Sequence, residues 1–171
     1  MISPSPREPA AAINDHQARP LQPRHLLAVH AACALVRARY YLSHGTALHL
    51  HGLAPSPGAL YVTVSQAVAL PRLPDLPPVR RVLYPPRRFF GAARLAVGAK
   101  AVWISDLERT LIDGLKHPRY SGGVPAVVRA LAQRGPSLDI EYLVRQALRL
   151  DIDTVKRRLG YLLELTGLLA L

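Results

Sequence analysis

Cysteine is nearly absent from this 171-residue chain, and the single thiol, Cys33, excludes an internal disulfide. One thiol also suits a reducing cytosol, and its setting between Ala32 and Ala34 in an apolar helical stretch reads as packing rather than reactivity. Acidic residues are scarce as well: 11 Asp+Glu stand against 22 Lys+Arg, a formal charge of +11, and all but three of the cations are arginine. Such a balance favours an acidic partner, either nucleic acid or an acidic protein face. Long apolar runs are missing too. None approaches the roughly 20 residues that span a bilayer, and the Pro- and Ala-rich start, Met1 to Pro23, has no signal-peptide core. The expectation is a cytoplasmic protein with no membrane contact. Phosphate loops, dinucleotide fingerprints, nucleophile elbows and paired metal-binding histidines of the usual spacing are all absent.

Half of the residues are hydrophobic, enough to build a core at this length. Residues 1–24 carry Pro4, Pro6, Pro9, Pro20 and Pro23 with little apolar periodicity and read as a flexible tail, leaving 25–171 as one domain. A first helix is expected over Arg24–Arg39, with Leu27, Ala31, Ala34 and Leu35 as its buried stripe. Ser43 and Gly52 bracket a second, short helix. Leu60, Val62 and Val64 alternate with Tyr61, Thr63 and Ser65, the pattern of a half-buried strand, and Val79–Tyr84, Leu95–Val97 and Ala101–Ile104 follow as further strands, the last two turning at Gly98. Ser105-Asp106-Leu107-Glu108 has the form of a capping box opening a helix that Pro118 stops. Gly122-Gly123 turns into a helix near Val124–Gln133, and two more helices carry the stripes Ile140, Leu143, Val144, Ala147, Leu148 and Val155, Leu159, Leu162, Leu163, with Asp151 or Asp153 capping the second. Helices, then strands, then helices indicate an α+β domain with a small sheet and a C-terminal helical pair.

Each polar cluster has a plain structural reading beside its chemical one. His44, His49 and His51 lie together in sequence, yet no cysteine or carboxylate stands near to complete a metal site, so packing on the helix is expected and no metal or cofactor is assigned. Asp106, Glu108 and Asp113 suggest acid–base chemistry, but a helix start accounts for the first two, and no catalytic residue is assigned. Seven cations (Arg72, Arg80, Arg81, Arg87, Arg88, Arg94 and Lys100) face one acid, Asp75, over residues 72–100. With Phe89 and Phe90 beside Arg87 and Arg88, this run forms either a basic and aromatic binding surface or a solvated strand edge. Lys156, Arg157 and Arg158 open the last helix where a helix-turn-helix would contact DNA, although a helical hairpin closing the core gives the same pattern. The binding candidates are therefore Arg80, Arg81, Arg87, Arg88, Lys156, Arg157 and Arg158.

Four fragments in order carry a resemblance. Tyr40-Tyr41-Leu42-Ser43-His44-Gly45-Thr46-Ala47-Leu48 with His51-Gly52-Leu53, the strand Tyr61–Val64, Ile104-Ser105-Asp106-Leu107-Glu108-Arg109-Thr110-Leu111-Ile112-Asp113, and Arg158-Leu159-Gly160-Tyr161-Leu162-Leu163-Glu164 resemble the effector domain of AbiEi-type antitoxins, over about Arg39 to Gly167. The resemblance implies a non-enzymatic antitoxin whose partner is a nucleotidyltransferase-like toxin of the AbiEii type, and whose relatives with an N-terminal winged helix also repress their own operon. About 38 residues precede the first fragment here, too few for a winged helix of ordinary size. Three functions stay open in the residues themselves: inhibition by binding a toxin, repression through operator DNA, and an enzyme or nucleotide-dependent accessory factor built on Asp106, Glu108 and Asp113.

Overall fold

The computed structural model describes residues 20–71 and 73–168. Most of the expected tail, and Arg72 of the basic run, lie outside the described residues. Along the described chain the order is α1 (Pro23–Leu35), β1 (Tyr40–Leu42), α2 (His44–Leu50), β2 (Leu60–Val64), β3 (Val79–Leu83), β4 (Ala92–Val97), β5 (Lys100–Ser105), α3 (Leu107–Lys116), α4 (Val124–Arg134), α5 (Ile140–Leu150) and α6 (Asp153–Leu165). The five strands form one mixed sheet in the order β3-β2-β1-β5-β4, so the fold is a single-domain α+β arrangement. β1 is the centre: it runs antiparallel to β2, with Tyr41 opposite Thr63, and parallel to β5, with Leu42 opposite Ile104. β3 adds in parallel on one edge, Arg80 opposite Tyr61, and β4 closes the other edge as a hairpin with β5 around Gly98 at φ +59.

Helices cover both faces of this sheet. Leu26, Val29 and Cys33 of α1 pack on Tyr40, Leu42, Leu60, Val62, Val64 and Ile104. On the opposite face α3 lies at the middle of a second core with Val82, Tyr84, Phe90 and the apolar sides of α4, α5 and α6. This arrangement explains why β2 is not half-buried as its alternation suggests: Thr63 and Ser65 are buried along with Leu60, Val62 and Val64. It also explains α3, in which every residue from Arg109 to Leu115 is buried. A helix surrounded on all sides has no wet face.

Four local expectations need correction. The buried face of α1 is His25, Leu26, Val29, Ala32 and Cys33, and Leu35 of the expected stripe is 78% exposed. The helix is apolar nearly all round, so periodicity alone does not select a face. In α5 the buried line is Leu143, Gln146, Ala147 and Leu150, with Leu148 exposed: the helix turns the side that carries Gln146 to the core instead of the side that carries Leu148. The cap of α3 is Asp106, not Ser105: its Oδ1 accepts the Arg109 amide at 2.7 Å. Ser105 ends β5, and its hydroxyl contacts the Leu42 carbonyl at 3.3 Å and Thr110 Oγ1 at 2.7 Å, tying the sheet to the helix instead. Likewise α6 starts from Ile152 with no side-chain cap, and Asp151 sits at φ +53 in the two-residue corner.

Gly91, between β3 and β4, holds φ +72 with its carbonyl accepting the Asp106 amide at 2.8 Å. A methyl added there would stand 2.7 Å from Arg109 Cβ and 2.8 Å from Gln146 Oε1. Gly91→Ala combines left-handed strain with overpacking of a filled core, and we expect it to cost about 2 kcal/mol or more. Urea unfolding followed by circular dichroism measures this; a midpoint unchanged from wild type would refute it.

Candidate functional site

The two densest sequence fragments meet inside the protein. Asp113, fully buried on α3, accepts from the Tyr84 hydroxyl at 3.0 Å, from Arg109 Nε at 3.0 Å and from the Tyr41 hydroxyl at 3.3 Å. Arg109 lies one helical turn before it, equally buried, so the pair shares one side of α3. Its Nη1 and Nη2 atoms have no hydrogen-bond partner; the guanidinium is instead lodged against the rings of Phe90 at 4.4 Å, Tyr84 at 4.7 Å and Tyr41 at 5.7 Å. Burial, reinforced by the Asp113 charge, pushes the Tyr41 and Tyr84 phenols well above their ordinary range, so both remain donors to the carboxylate.

A second polar branch runs from the first fragment. Thr63 donates to Ser43 Oγ at 2.9 Å, and Ser43 Oγ contacts His44 Nδ1 at 2.9 Å. His44 is fully buried at φ +50, and its Nε2 has no partner. Burial lowers its pKa to about 4, with His117, Arg109 and Lys116 acting in the same direction against Asp113, so the ring is neutral near pH 7. His49 Nδ1 meets the Ala54 carbonyl at 3.1 Å and His51 Nε2 meets the Ser105 carbonyl at 2.9 Å. All three histidines of the expected cluster therefore serve packing and turn contacts. The three carboxylates take different places: Asp106 caps α3 and accepts from Tyr142 Oη at 3.1 Å and Gln146 Nε2 at 3.2 Å, Glu108 lies half-buried in the first turn of α3, and Asp113 holds the Arg109 centre.

The expected basic residues divide by position. Arg80 and Arg81 are exposed on the edge strand β3 and, as neighbours in a strand, point to opposite faces. Arg87 is exposed in the 3-10 turn after β3. Arg88 caps the end of α5 by donating to the Leu150 carbonyl at 2.8 Å and the Asp151 carbonyl at 2.9 Å. Phe89 and Phe90 are buried, so the aromatic part of the expected surface is core: Phe89 packs on Tyr41 at 5.0 Å, and Phe90 receives Arg109. In α6, Lys156 is held by Asp151 and Asp153 at 2.9 and 2.8 Å, and Arg158 donates to the Leu115 carbonyl at the end of α3 at 2.5 Å. Arg157 is exposed. Among the described residues, Arg80, Arg81, Arg87 and Arg157 form no ion pair.

The chain matches no protein-family model and no curated protein. Among the described residues no helix is long and apolar enough to cross a membrane. Sequence reasoning did not single out Arg109, the most deeply placed cation of the domain, nor the approach of Tyr61 to Tyr120. The first carries a signal, since Arg109 and Asp113 are four apart on one side of a helix; the second carries none, because a strand and a distant turn supply one ring each.

Proposed function

We propose that this chain is an antitoxin of the AbiEi type, acting without catalysis of its own and neutralising a nucleotidyltransferase-like toxin by binding it in the cytoplasm. One observation supports this most. The polar residues that carry the resemblance are buried and bonded in three groups, Tyr41 with Arg109 and Asp113, Ser43 with His44 and Thr63, and Thr110 with Ser105, and Arg158 of the fourth fragment fastens α6 to α3. Those fragments are then a signature of the fold. Recognition falls to the surface, where Arg80, Arg81 and Arg87 stand exposed on and beside an edge strand. An enzyme that handles nucleotides with divalent metal gathers carboxylates around its site, and such an acidic face complements these cations.

The test is co-expression with a nucleotidyltransferase-like protein encoded beside this chain, followed by co-purification in the absence of DNA. A stable complex and restored growth are expected. Reversing Arg80, Arg81 and Arg87 together to Glu should weaken the complex at least roughly tenfold and lessen its salt dependence, while Glu108→Gln should leave neutralisation intact. Promoter binding that falls steeply with salt and is lost in Arg157→Ala, with no toxin complex, would replace this reading with operator repression.

A further inference from the structure

The loop between α2 and β2, Tyr61 of β2, the turn Pro118–Ser121 and the beginning of α4 enclose a cavity of about 410 Å³. That volume falls within the range of small-ligand sites, roughly 300–1,000 Å³. Its aromatic wall is built. The Tyr61 and Tyr120 rings lie 5.2 Å apart and 30° from parallel, and His44 backs both, at 6.0 and 5.7 Å. His117 lies behind Tyr120 at 5.3 Å. Gly45 allows this stack to form, because a methyl there would come within 2.8 Å of the Tyr120 carbonyl.

The charge lining the cavity is of one sign among the described residues. Arg119 sits 5.0 Å over the Tyr120 ring, Arg129 of α4 contributes to the same cavity, and Arg80 flanks Tyr61 across the β2–β3 ladder. No aspartate or glutamate lines the cavity, and none of these three arginines forms an ion pair among the described residues. Ser121, whose buried hydroxyl has no partner, belongs to the same wall.

Half-exposed rings attract a planar group, and uncompensated guanidiniums attract an anion. A bare anion would leave the rings unused, and an uncharged aromatic would leave the cations unused. We infer that this cavity binds a nucleotide, its base against Tyr61 and Tyr120 and its phosphate on Arg119 and Arg129. A free mononucleotide and the end of a single strand share that chemistry.

Isothermal titration of the full chain tests the inference without any toxin, so its outcome is independent of the proposed neutralisation. AMP and ATP should bind at least roughly tenfold tighter than adenosine or inorganic phosphate. Tyr120→Leu and Arg129→Gln should each weaken binding roughly tenfold, and Arg157→Gln, an equal loss of charge elsewhere, should leave it unchanged. Arg129 is exposed, so its variant keeps the test valid even if Tyr120→Leu fails to fold. An adenylate octamer binding more tightly than AMP would support the site and identify a strand as its source; an octamer binding no more tightly than AMP would support a free nucleotide. Inorganic phosphate binding as tightly as AMP, equal weakening by Arg157→Gln and Arg129→Gln, or no heat with any nucleotide would overturn the inference.

Discussion

Asp113→Asn is expected to destabilise the domain by about 3–5 kcal/mol, because it removes the counter-charge of a buried arginine that cannot shed its proton. Arg109 and Asp113 are both fully buried, and among the described residues the guanidinium donates only to that carboxylate, from Nε at 3.0 Å. With the charge gone, a neutral carboxamide oxygen and the faces of Phe90, Tyr84 and Tyr41 are what remain around the guanidinium. Cation–π contacts of about 2 kcal/mol when desolvated do not offset an uncompensated charge. Domains of this size hold roughly 5–15 kcal/mol, so the loss consumes a large share of the total. Tyr84→Phe, which deletes one 3.0 Å hydrogen bond to the same carboxylate, should cost only about 1 kcal/mol. The double replacement Arg109→Met with Asp113→Leu should be milder than Asp113→Asn, since it removes both charges together. Urea unfolding by circular dichroism orders the three variants. A cost below about 1 kcal/mol for Asp113→Asn would sink this account of the centre, and lost neutralisation at full stability would move Asp113 from the fold to chemistry.

What the sequence discloses of this centre follows from the range over which each signal acts. The positions of α3 to α6, of the short α2 and of the β4–β5 hairpin are legible because stops and apolar spacing are local, although the capping residues of α3 and α6 differ from those expected. The buried faces of α1 and β2 are not, because each depends on a layer contributed from elsewhere: α1 is apolar on most sides, and β2 is covered by α1 on one face and by the α3 side on the other. Phe89 and Phe90 adjoin two arginines and resemble surface, yet Arg88 turns away to the end of α5 while the rings enter the core. Among the seven candidate cations, local charge does not separate Arg88, Lys156 and Arg158, which fasten helix ends or pair with neighbouring acids, from Arg80, Arg81, Arg87 and Arg157, which face solvent. For Arg88 and Arg158 that difference arises only when carbonyls at helix ends are brought to a side chain 62 or 43 residues away, whereas Lys156 pairs with Asp151 and Asp153 close by in sequence.

The second large effect is a loss of stability in mild acid, centred on His44. In the unfolded chain this histidine takes up a proton near pH 6.5. In the folded protein burial holds its pKa down to about 4, with His117, Arg109 and Lys116 opposing the proton and Asp113 favouring it. Between these values the unfolded state binds more protons, so stability rises with pH across the window. The contribution is complete above about pH 6.5, falls as pH drops towards 4, and does not fall further below that; its span is about 3 kcal/mol. His117, whose pKa is also lowered by burial and by Lys116, adds in the same direction. The ring cannot escape to solvent to be protonated locally, because Ser43, Tyr61, His117 and Tyr120 enclose it and its backbone is fixed at φ +50. His44→Asn tolerates that backbone and removes the titration, so it should lower stability at pH 7 yet flatten the dependence between pH 6.5 and 4.5. Urea midpoints across that interval decide the point. If wild type and His44→Asn lose stability in parallel, the acid sensitivity belongs to other groups and His44 is a neutral spacer; if the wild type alone falls, acid opens this domain at the histidine that joins its buried centre to the Tyr61–Tyr120 stack.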